Sequence, residues 1–296
     1  MSSAERIALQ QPAARAERSG RPRRRGSRTF AATIVCLLVG AVYLIPLAWV
    51  LSISFRSGND VFTSIFVPHS FAPGNYTDAW NKYGLGVLFL NSTLITAGTV
   101  VLSLALSVTA AYGFSRHRTR LRESLFLLIL TGLMIPPAAI IIPFFVLMND
   151  LRLYDKLFAV VLAETAFVLP LGILILRGYI DNIPSELSDA ARVDGAGEWG
   201  AFRHVVVPLL RPPIATVALL ITLSTWNGFL LPLVLLSDPT QSTVTVGIAQ
   251  FSSQFGVLEW QLVAAAAVMA MLPVLVVLVA LRRYYVQGLA AGALKG

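Results

Sequence analysis

Few residues in this sequence could take part in chemistry, and they are scattered. The three histidines, His69, His117 and His204, do not have the spacing of a metal site. The only lysines are Lys82, Lys156 and Lys295, and none lies in a phosphate-binding G-x-x-x-x-G-K-[ST] motif. No nucleophile lies near a base in a way that indicates catalysis. The sequence therefore predicts no enzyme and no cofactor or metal site in this chain.

One motif suggests a nucleotide site at first sight. Residues Gly195 to Gly200 spell G-x-G-x-x-G. In a dinucleotide-binding fold this motif follows a buried strand within a βαβ unit. Here it follows a polar helical pattern, so the motif does not indicate a dinucleotide site.

Polar residues inside apolar runs are the remaining candidates. Glu164 interrupts an otherwise uncharged run, and an ionisable residue in a membrane segment is by default a functional candidate. It lies only eight residues after Lys156, which favours a position at the outer interface instead. Thr222, Thr225 and Asn227 form a second polar patch. These hydroxyl and amide groups either line a solute path or pack between helices, and the sequence leaves both alternatives open.

The elements that hold these residues are apolar and long. The chain has 296 residues, of which 56% are hydrophobic and 13% charged, against about 25% charged in a soluble domain. A membrane-spanning helix needs about 20 apolar residues. Six runs meet this requirement and predict an all-α integral membrane protein with six transmembrane helices, near residues 30–55, 87–114, 124–148, 157–177, 213–236 and 260–281.

The distribution of Lys and Arg predicts the orientation. With a cytoplasmic N-terminus, 19 of the 23 basic residues fall in the N-terminal tail, the C-terminal tail or the loops on the same side. The positive-inside rule therefore places both termini in the cytoplasm. The net charge of +8 is explained by this topology, with contacts to anionic membrane lipid rather than to nucleic acid.

The predicted organisation has five parts. Residues 1–29 form a basic, disordered cytoplasmic tail, 30–55 the first transmembrane helix, and 56–86 an external segment. Residues 87–282 form a five-helix core, and 283–296 a cytoplasmic tail. The single cysteine, Cys36, allows no disulfide within the chain.

The most informative segment is a polar interruption between Pro184 and Pro213, PSELSDAARVDGAGEWGAFRHVVVPLLRPP. Pro184 suits the first turn of a helix, and Gly195 suits its C-terminal end. A second short helix would place Trp199 and Phe202 on one side, with Pro208 ending it. Helices this short are marginal alone, so they must pack against something. An ordinary surface hairpin remains the alternative.

The run from Leu187 to Ala196, with Phe202 and Pro208 downstream, resembles the EAA loop of ABC importer permeases. That resemblance implies a cytoplasmic coupling loop over 184–208 that docks into a cleft on an ATPase subunit. The residues carried over from the motif are Asp189, Ala190, Ala191, Asp194, Gly195, Ala196, Phe202 and Pro208. The family's leading glutamate is replaced here by the shorter Asp189. The resemblance implies that Phe202 and the Ala190–Ala191 face bear the contact.

Other residues extend the resemblance over about 87–296 and towards the maltose and multiple-sugar branch. They are Asn91-Ser92, MIPP at 134–137, Pro143, Leu153, Pro170, Trp226-Asn227, and the ending from Tyr285 through Gly288 to Gly292-Ala293-Leu294-Lys295-Gly296. Residue 228, often acidic in that branch, is Gly228 here. The resemblance implies a type I ABC importer permease fold in the cell membrane of a prokaryote.

What the resemblance implies about function is an ATP-driven sugar or oligosaccharide importer. This chain would form half of the translocation path, together with a homologous permease subunit, two ATPase subunits and an extracytoplasmic sugar-binding protein. ATP and Mg would bind in the ATPase, not here. Thr222, Thr225 and Asn227 are the candidate residues of the sugar path. The alternatives are a permease for a non-sugar solute and a membrane carrier or scaffold that works without a motor.

Overall fold

The computed structural model describes residues 25–61, 70–116, 119–255 and 259–293. Within these ranges the side chains of 25–31, 59, 252–255 and 283–293 are left aside. The predicted disorder of the N-terminal tail falls almost entirely outside the described residues. So do His69, His117 and Lys295. By its contacts the chain divides into two units, residues 1–48 and residues 49–296.

The described residues form helices and connecting loops. The helices are α1 (Arg25–Ser54), α2 (Asn75–Lys82), α3 (Leu85–Arg116), α4 (Arg120–Thr131), α5 (Pro137–Asp150), α6 (Leu157–Ile180), α7 (Ser185–Val193), α8 (Glu198–Ala201), α9 (Val207–Leu209), α10 (Arg211–Trp226), α11 (Leu230–Leu235), α12 (Val244–Phe255) and α13 (Trp260–Ala293). The prediction of an all-helical architecture is confirmed.

Four described stretches are long and apolar enough to cross a membrane on their own: Ala32–Ser54, Leu85–Arg116, Leu157–Ile180 and Trp260–Arg282. Two bent pairs raise the number to six if each pair is one span. Arg120–Met134 meets Pro137–Asp150 at 105°, and Glu198–Leu209 meets Arg211–Trp226 at 71°. The structure therefore has four to six candidate spans, a range that includes the six predicted. The second bent pair begins at Glu198, inside the predicted coupling loop, and so does not coincide with the predicted span 213–236.

Helices α3 and α6 pack closely in the centre of the second unit, and small residues allow this approach. A Cβ on Gly98 would lie 3.2 Å from a methyl group of Val161. Gly172 is pressed against the side chain of Ser107 in the same way. Buried hydroxyl residues continue along that face of α3: Thr96, Thr99, Ser103 and Ser107. Small and hydroxyl side chains are typical of helix–helix contacts in membranes.

Prolines explain where the apolar runs bend. Ile135 and Pro136 are extended between a 3₁₀ turn and α5, because a residue before proline avoids the helical region. The predicted span 213–236 is likewise interrupted. Helix α10 ends at Trp226, and α11 begins only at Leu230, two residues before Pro232. Proline lacks the N–H that would bond the fourth residue before it, here Gly228.

Not every proline bends its helix in this way. Pro143, Pro170 and Pro273 lie inside α5, α6 and α13, which continue through them. A proline pattern alone therefore does not locate the breaks.

Two α3 residues, Asn91 and Ser92, hold the loop that connects α11 to α12. The Asn91 side-chain amide donates to the carbonyl oxygens of Thr240 (2.8 Å) and Ser242 (3.0 Å). The backbone N–H of Val244 donates to Ser92 Oγ over 2.9 Å. Helix α12 itself was not predicted, because its sequence falls within a segment that reads as an external loop.

Candidate coupling segment and solute path

The segment from α7 to α9 lies between the membrane-length helix α6 and the shorter helix α10. Helix α7 begins after Pro184, and Glu186 occupies its first turn, where the helix dipole favours a negative charge. It ends as the sequence predicts. Gly195 adopts a left-handed conformation with φ of 88°, and the Ala196 N–H donates to the Ala191 carbonyl over 2.9 Å.

The second half of the segment differs from the expectation of one short helix ended by Pro208. Helix α8 passes into a wide π turn at Phe202–Val206 and then into α9, which contains Pro208. The bend into α10 comes at Leu210, two residues later than predicted. Proline is tolerated in the first turn of α9, where no helical hydrogen bond requires its N–H.

Phe202 lies beneath the segment rather than on its surface. Its side chain is 5% exposed, and its ring lies 4.7 Å from that of Tyr112 on α3 and 5.1 Å from that of Trp199. Val206 beside it is fully buried. The expectation that Phe202 itself bears a contact with a partner is wrong for this conformation. Trp199 covers Phe202 from outside, and Phe202 anchors the segment on α3.

Charged side chains connect the two halves of the segment. Arg192 pairs with Asp189 at 2.9 Å and with Glu198 at 2.8 Å. Tyr112 on α3 donates to the same Glu198 carboxylate over 3.2 Å. Hydrogen bonding to Glu198, and then its negative charge, raises the pKa of the Arg192 guanidinium. Asp189, where the motif has a glutamate, thus has its partner within the same helix.

Two further contacts fix the segment to the ends of the membrane helices. Arg116 Nη2 at the end of α3 donates to Ser188 Oγ over 2.8 Å, and Ser188 is fully buried. Ser115 Oγ donates to Asp181, just after α6, over 2.5 Å. The first bond joins α3 to α7, and the second joins α3 to the end of α6, so the three helices are connected beside the segment.

Arg177 strengthens the same end of α6. Its guanidinium pairs with Glu123 of α4 at 2.6 Å and lies 4.0 Å from the centre of the Phe126 ring. It also lies 3.8 Å from Asp181. Arg177 is buried, whereas Glu123 is half-exposed. The ends of α3, α4 and α6 are therefore connected beside α7.

The outer surface of the segment carries large apolar side chains. Leu187 is 45% exposed, Val193 87% and Trp199 65%. Ala190 is exposed between Leu187 and Val193 on the same helix. Exposed apolar side chains among charges indicate a protein contact surface. Val193 was missed by the sequence reasoning, although its spacing of three from Ala190 places both on one helix face.

The other motif residues have simpler positions. Asp194 is exposed at the end of α7, and Ala196 is partly buried in the turn before α8. The Ala191 side chain is also partly buried. The structure brings all eight motif residues into one continuous segment but distributes them between its inner and outer sides.

The predicted solute-path residues do not point in one direction. Thr222 Oγ1 donates to the Ala218 carbonyl over 2.8 Å, and Asn227 Nδ2 donates to the Leu223 carbonyl over 2.8 Å. Asn227 is exposed, whereas Thr225 is buried, and its hydroxyl has no hydrogen-bond partner among the described residues. Of the three, Thr225 retains a side-chain hydroxyl that is not already used as a donor.

Glu164 is buried within the protein, and its position near the outer interface, which its spacing from Lys156 favours, stays a prediction. It is 6% exposed and faces the break between α10 and α11. Its Oε1 atom lies 2.8 Å from the place that a Cβ on Gly228 would occupy. The sequence could not show this contact because Glu164 and Gly228 are more than sixty residues apart in the chain.

Residues 103–290, which include the whole segment from α7 to α9, match the family model described as binding-protein-dependent transport system inner membrane component. The chain belongs to this family. It is a permease subunit of a binding-protein-dependent ABC importer, and the prediction from the EAA-type run is confirmed.

Related proteins are similar over most of their length. The melibiose/raffinose/stachyose import permease protein MelC of Bacillus subtilis (strain 168) is 33% identical over 92% of this chain and 100% of its own. The arabinooligosaccharides transport system permease protein AraQ of Halalkalibacterium halodurans is 34% identical over 89% of this chain and 95% of its own.

A solved structure supports the fold as well. It is the crystal structure of a bacterial ABC transporter involved in the import of the acidic polysaccharide alginate. One of its chains is 28% identical, with a TM-score of 0.76 over 88% of this chain and 98% of that one. The permease is therefore a multi-pass protein of the bacterial inner membrane, and its family is a transport family rather than an enzyme family.

Proposed function

We propose that this permease forms half of the path for a sugar or oligosaccharide, and that its α7–α9 segment faces the cytoplasm and docks on an ATPase subunit. The observation that carries the proposal is the two-sided construction of the segment. Its inner side, with Phe202 and Ser188, is buried against the membrane helices, and its outer side exposes Leu187, Val193 and Trp199.

The outer side has the chemistry of a docking surface. Large aromatic residues surrounded by polar groups dominate the binding energy at protein interfaces. Glu198 precedes Trp199 in α8 and pairs with Arg192, which also pairs with Asp189, so the segment that exposes Trp199 carries connected charges as well. Because these charges are already paired with one another, they lose little solvation free energy when a partner docks. A partner can therefore cover Trp199 and Val193.

The inner side explains how movement would be transmitted. Phe202 packs on Tyr112 of α3, and Arg116 of α3 bonds to Ser188 of α7. Closure of an ATPase dimer around ATP and Mg would displace the segment, which would move with α3 and, through Asp181, with α6. A rigid displacement of this kind is a recognised way to switch a two-state protein.

The proposed partners follow from the separate roles of the docking surface and the solute path. The permease carries the docking surface and half of the path. A homologous permease subunit would provide the other half, and two ATPase subunits would hydrolyse ATP. An extracytoplasmic binding protein would deliver the solute. The family membership argues against a carrier that works without such a motor.

The sugar class is supported by the relatives. MelC and AraQ are described as permeases for oligosaccharides, at 33% and 34% identity. The proposal predicts that the complex, reconstituted in proteoliposomes with its binding protein, takes up radiolabelled melibiose, raffinose or arabinose oligosaccharides when ATP is supplied. Uptake of none of these, with uptake of a non-sugar solute, would replace the sugar assignment by the second candidate.

The docking surface is tested by Trp199→Ala. Loss of an interface aromatic of this kind costs about 2 kcal/mol or more, so the affinity for the ATPase subunit should fall at least about 30-fold. Trp80→Ala is the matched control, because Trp80 is 44% exposed on the side predicted to be external. If both variants retain the ATPase equally well during purification, the docking surface is elsewhere.

A further inference from the structure

The break between α10 and α11 meets a carboxylate from another helix. Glu164 Oε1 lies 2.8 Å from the position of a Cβ on Gly228, and the Thr225 carbonyl oxygen lies 3.0 Å from the same point. The break is not helical there, and the Gly228 N–H bonds only to the third residue before it, Thr225. The carboxylate thus occupies the space that a side chain at residue 228 would need.

Glu164 lies one helical turn before the α6 residues that line a cavity of about 230 Å³ between α6, α10 and the bend before α5, and it is not itself among the lining residues. Phe167, Val168 and Leu171 line the cavity from α6, and they follow Glu164 at spacings of three, four and seven residues. These spacings place all four residues on one helix face. Ser224 lines the same cavity from α10, immediately before the buried Thr225.

The wall of the cavity is mostly apolar, so few groups in it can form hydrogen bonds. Ser224 is the only hydroxyl residue in the lining of this cavity, and Gly228 follows it by about one helical turn. Thr225 directly follows Ser224, and Glu164 precedes Phe167 by three residues, so both lie just beyond the same end of the cavity. Charge distribution predicts that this end, where α6 begins, is the outer one.

Packing alone does not explain a carboxylate at this position. Burying an acidic group without a strong partner is costly, and acidic residues inside membrane segments are usually functional. Among the described residues, Glu164 is the one acidic side chain that lies more than a helical turn from the ends of the candidate spans. A leucine would fill about the same space without this cost.

We infer that Glu164 is a specificity-determining residue of the solute path, which accepts hydrogen bonds from the hydroxyl groups of a sugar at the outer end of the cavity. The inference rests on the proposed sugar transport and assigns a residue to it. Sugar O–H groups donate and the carboxylate oxygens accept, with Thr225 as a neighbouring hydroxyl. Pockets that enclose a drug-sized ligand measure about 300–1,000 Å³, so the cavity would hold one part of an oligosaccharide at a time.

The test uses the complete reconstituted complex and radiolabelled raffinose and melibiose as probes. Glu164→Gln keeps the shape of the side chain but weakens a charge-assisted acceptor to a neutral one. We expect the uptake rate at saturating sugar to fall about tenfold. The yield of assembled complex and its ATPase activity without sugar should stay unchanged. Asp150→Asn, at the exposed end of α5, is the control and should have no effect.

A sharper test moves the carboxylate from residue 164 on α6 to residue 228 in the break. Gly228→Asp alone crowds a second carboxylate against Glu164 and should lower uptake as well. In the double variant Glu164→Ala with Gly228→Asp, the carboxylate returns to nearly the same place from the other helix. Uptake should recover to within about threefold of the natural protein, since one acceptor is again present.

The outcomes separate this inference from the proposed function. If the natural complex takes up raffinose or melibiose and Glu164→Gln does so at the same rate, the role of Glu164 is refuted and sugar transport stands. If Glu164→Gln lowers assembly and sugar-free ATPase activity together with uptake, the residue is structural and the inference is also refuted. If the natural complex takes up neither probe nor arabinose oligosaccharides, the sugar class fails, and the hydroxyl-acceptor role fails with it.

Discussion

Arg116 donates a 2.8 Å hydrogen bond to the hydroxyl of Ser188, across 72 positions of sequence. The bond joins the last residue of α3 to the fourth residue of α7. Ser188 is 1% exposed, so the bond is shielded from water by the segment above it. It links the proposed docking segment directly to a membrane-spanning helix.

Ser188→Ala removes the acceptor of this bond and should loosen the coupling of ATP hydrolysis to transport. The net value of such a bond is about 1 kcal/mol, which corresponds to about a fivefold change in the balance between two arrangements. We expect more ATP to be hydrolysed per sugar imported in proteoliposomes. Ser185→Ala, at the exposed start of α7, is the control. An equal effect of both variants would show that the Arg116–Ser188 bond does not contribute to coupling.

Phe202→Ala should destabilise the permease rather than act only on coupling. A buried phenylalanine replaced by alanine costs about 3–5 kcal/mol, because the transfer free energy is lost and a cavity remains. Trp199→Ala, 65% exposed, should change stability by less than about 1 kcal/mol. Thermal denaturation of the purified protein in detergent compares the two. A Phe202→Ala variant that melts like the natural protein would contradict the anchoring role.

The pKa of Tyr83, on the predicted external side, predicts that the folded protein loses stability at alkaline pH. Burial, then the negative charge of Glu259 and a hydrogen bond to it, raise the pKa of Tyr83 from 10.0 to about 12. The folded protein therefore holds this proton more tightly than the unfolded chain. The resulting stability is complete below pH 10 and is lost as the pH rises towards 12.

The measurement is thermal stability between pH 9 and about pH 12, the window set by the pKa of Tyr83. Tyr83→Phe keeps the ring stacked on Phe251, whose centroid lies 3.8 Å away, and should flatten the decline. The exposed Tyr43 provides the control Tyr43→Phe, which should decline like the natural protein. Identical curves for all three proteins would show that Tyr83 does not contribute.

Gly172 and Ser107 should be coupled in the packing of α3 against α6. Gly172→Ala places a methyl group against the Ser107 side chain and should destabilise the protein by about 1–3 kcal/mol. Ser107→Gly combined with Gly172→Ala removes the conflict and should recover most of the loss. A double-mutant cycle on melting temperature measures this, and additive effects would contradict the close contact.

Much of the fold could be predicted from the sequence. The uncharged runs located six spans because the bilayer requires about 20 apolar residues and penalises charge. The left-handed end of α7 followed from Gly195, which adopts positive φ without steric cost. The family could be recognised because the run from Leu187 to Ala196 is local and is readable as a motif.

The contacts across the chain could not be predicted. The depth of Phe202 depends on Tyr112 of α3, and the burial of Glu164 depends on the break around Gly228. Both are tertiary relationships that leave no periodic signal in the sequence. The interruption of the span at 213–236 was missed for a different reason, because Pro232 is one of several prolines, and Pro143, Pro170 and Pro273 lie in continuous helices.

The central claim, that the α7–α9 segment docks on the ATPase, is tested most directly by cross-linking. The single cysteine allows a clean background, Cys36→Ser, in which Ala190→Cys on the exposed side of α7 carries a photoactivatable benzophenone maleimide. Asp78→Cys, exposed on α2, is the control on the predicted external side. We expect the probe at residue 190 to capture the ATPase subunit, with a yield that changes when ATP is added, and the probe at residue 78 to capture none. An intact complex in which residue 190 captures no ATPase, or is labelled from outside whole cells by a membrane-impermeant maleimide, would contradict the claim.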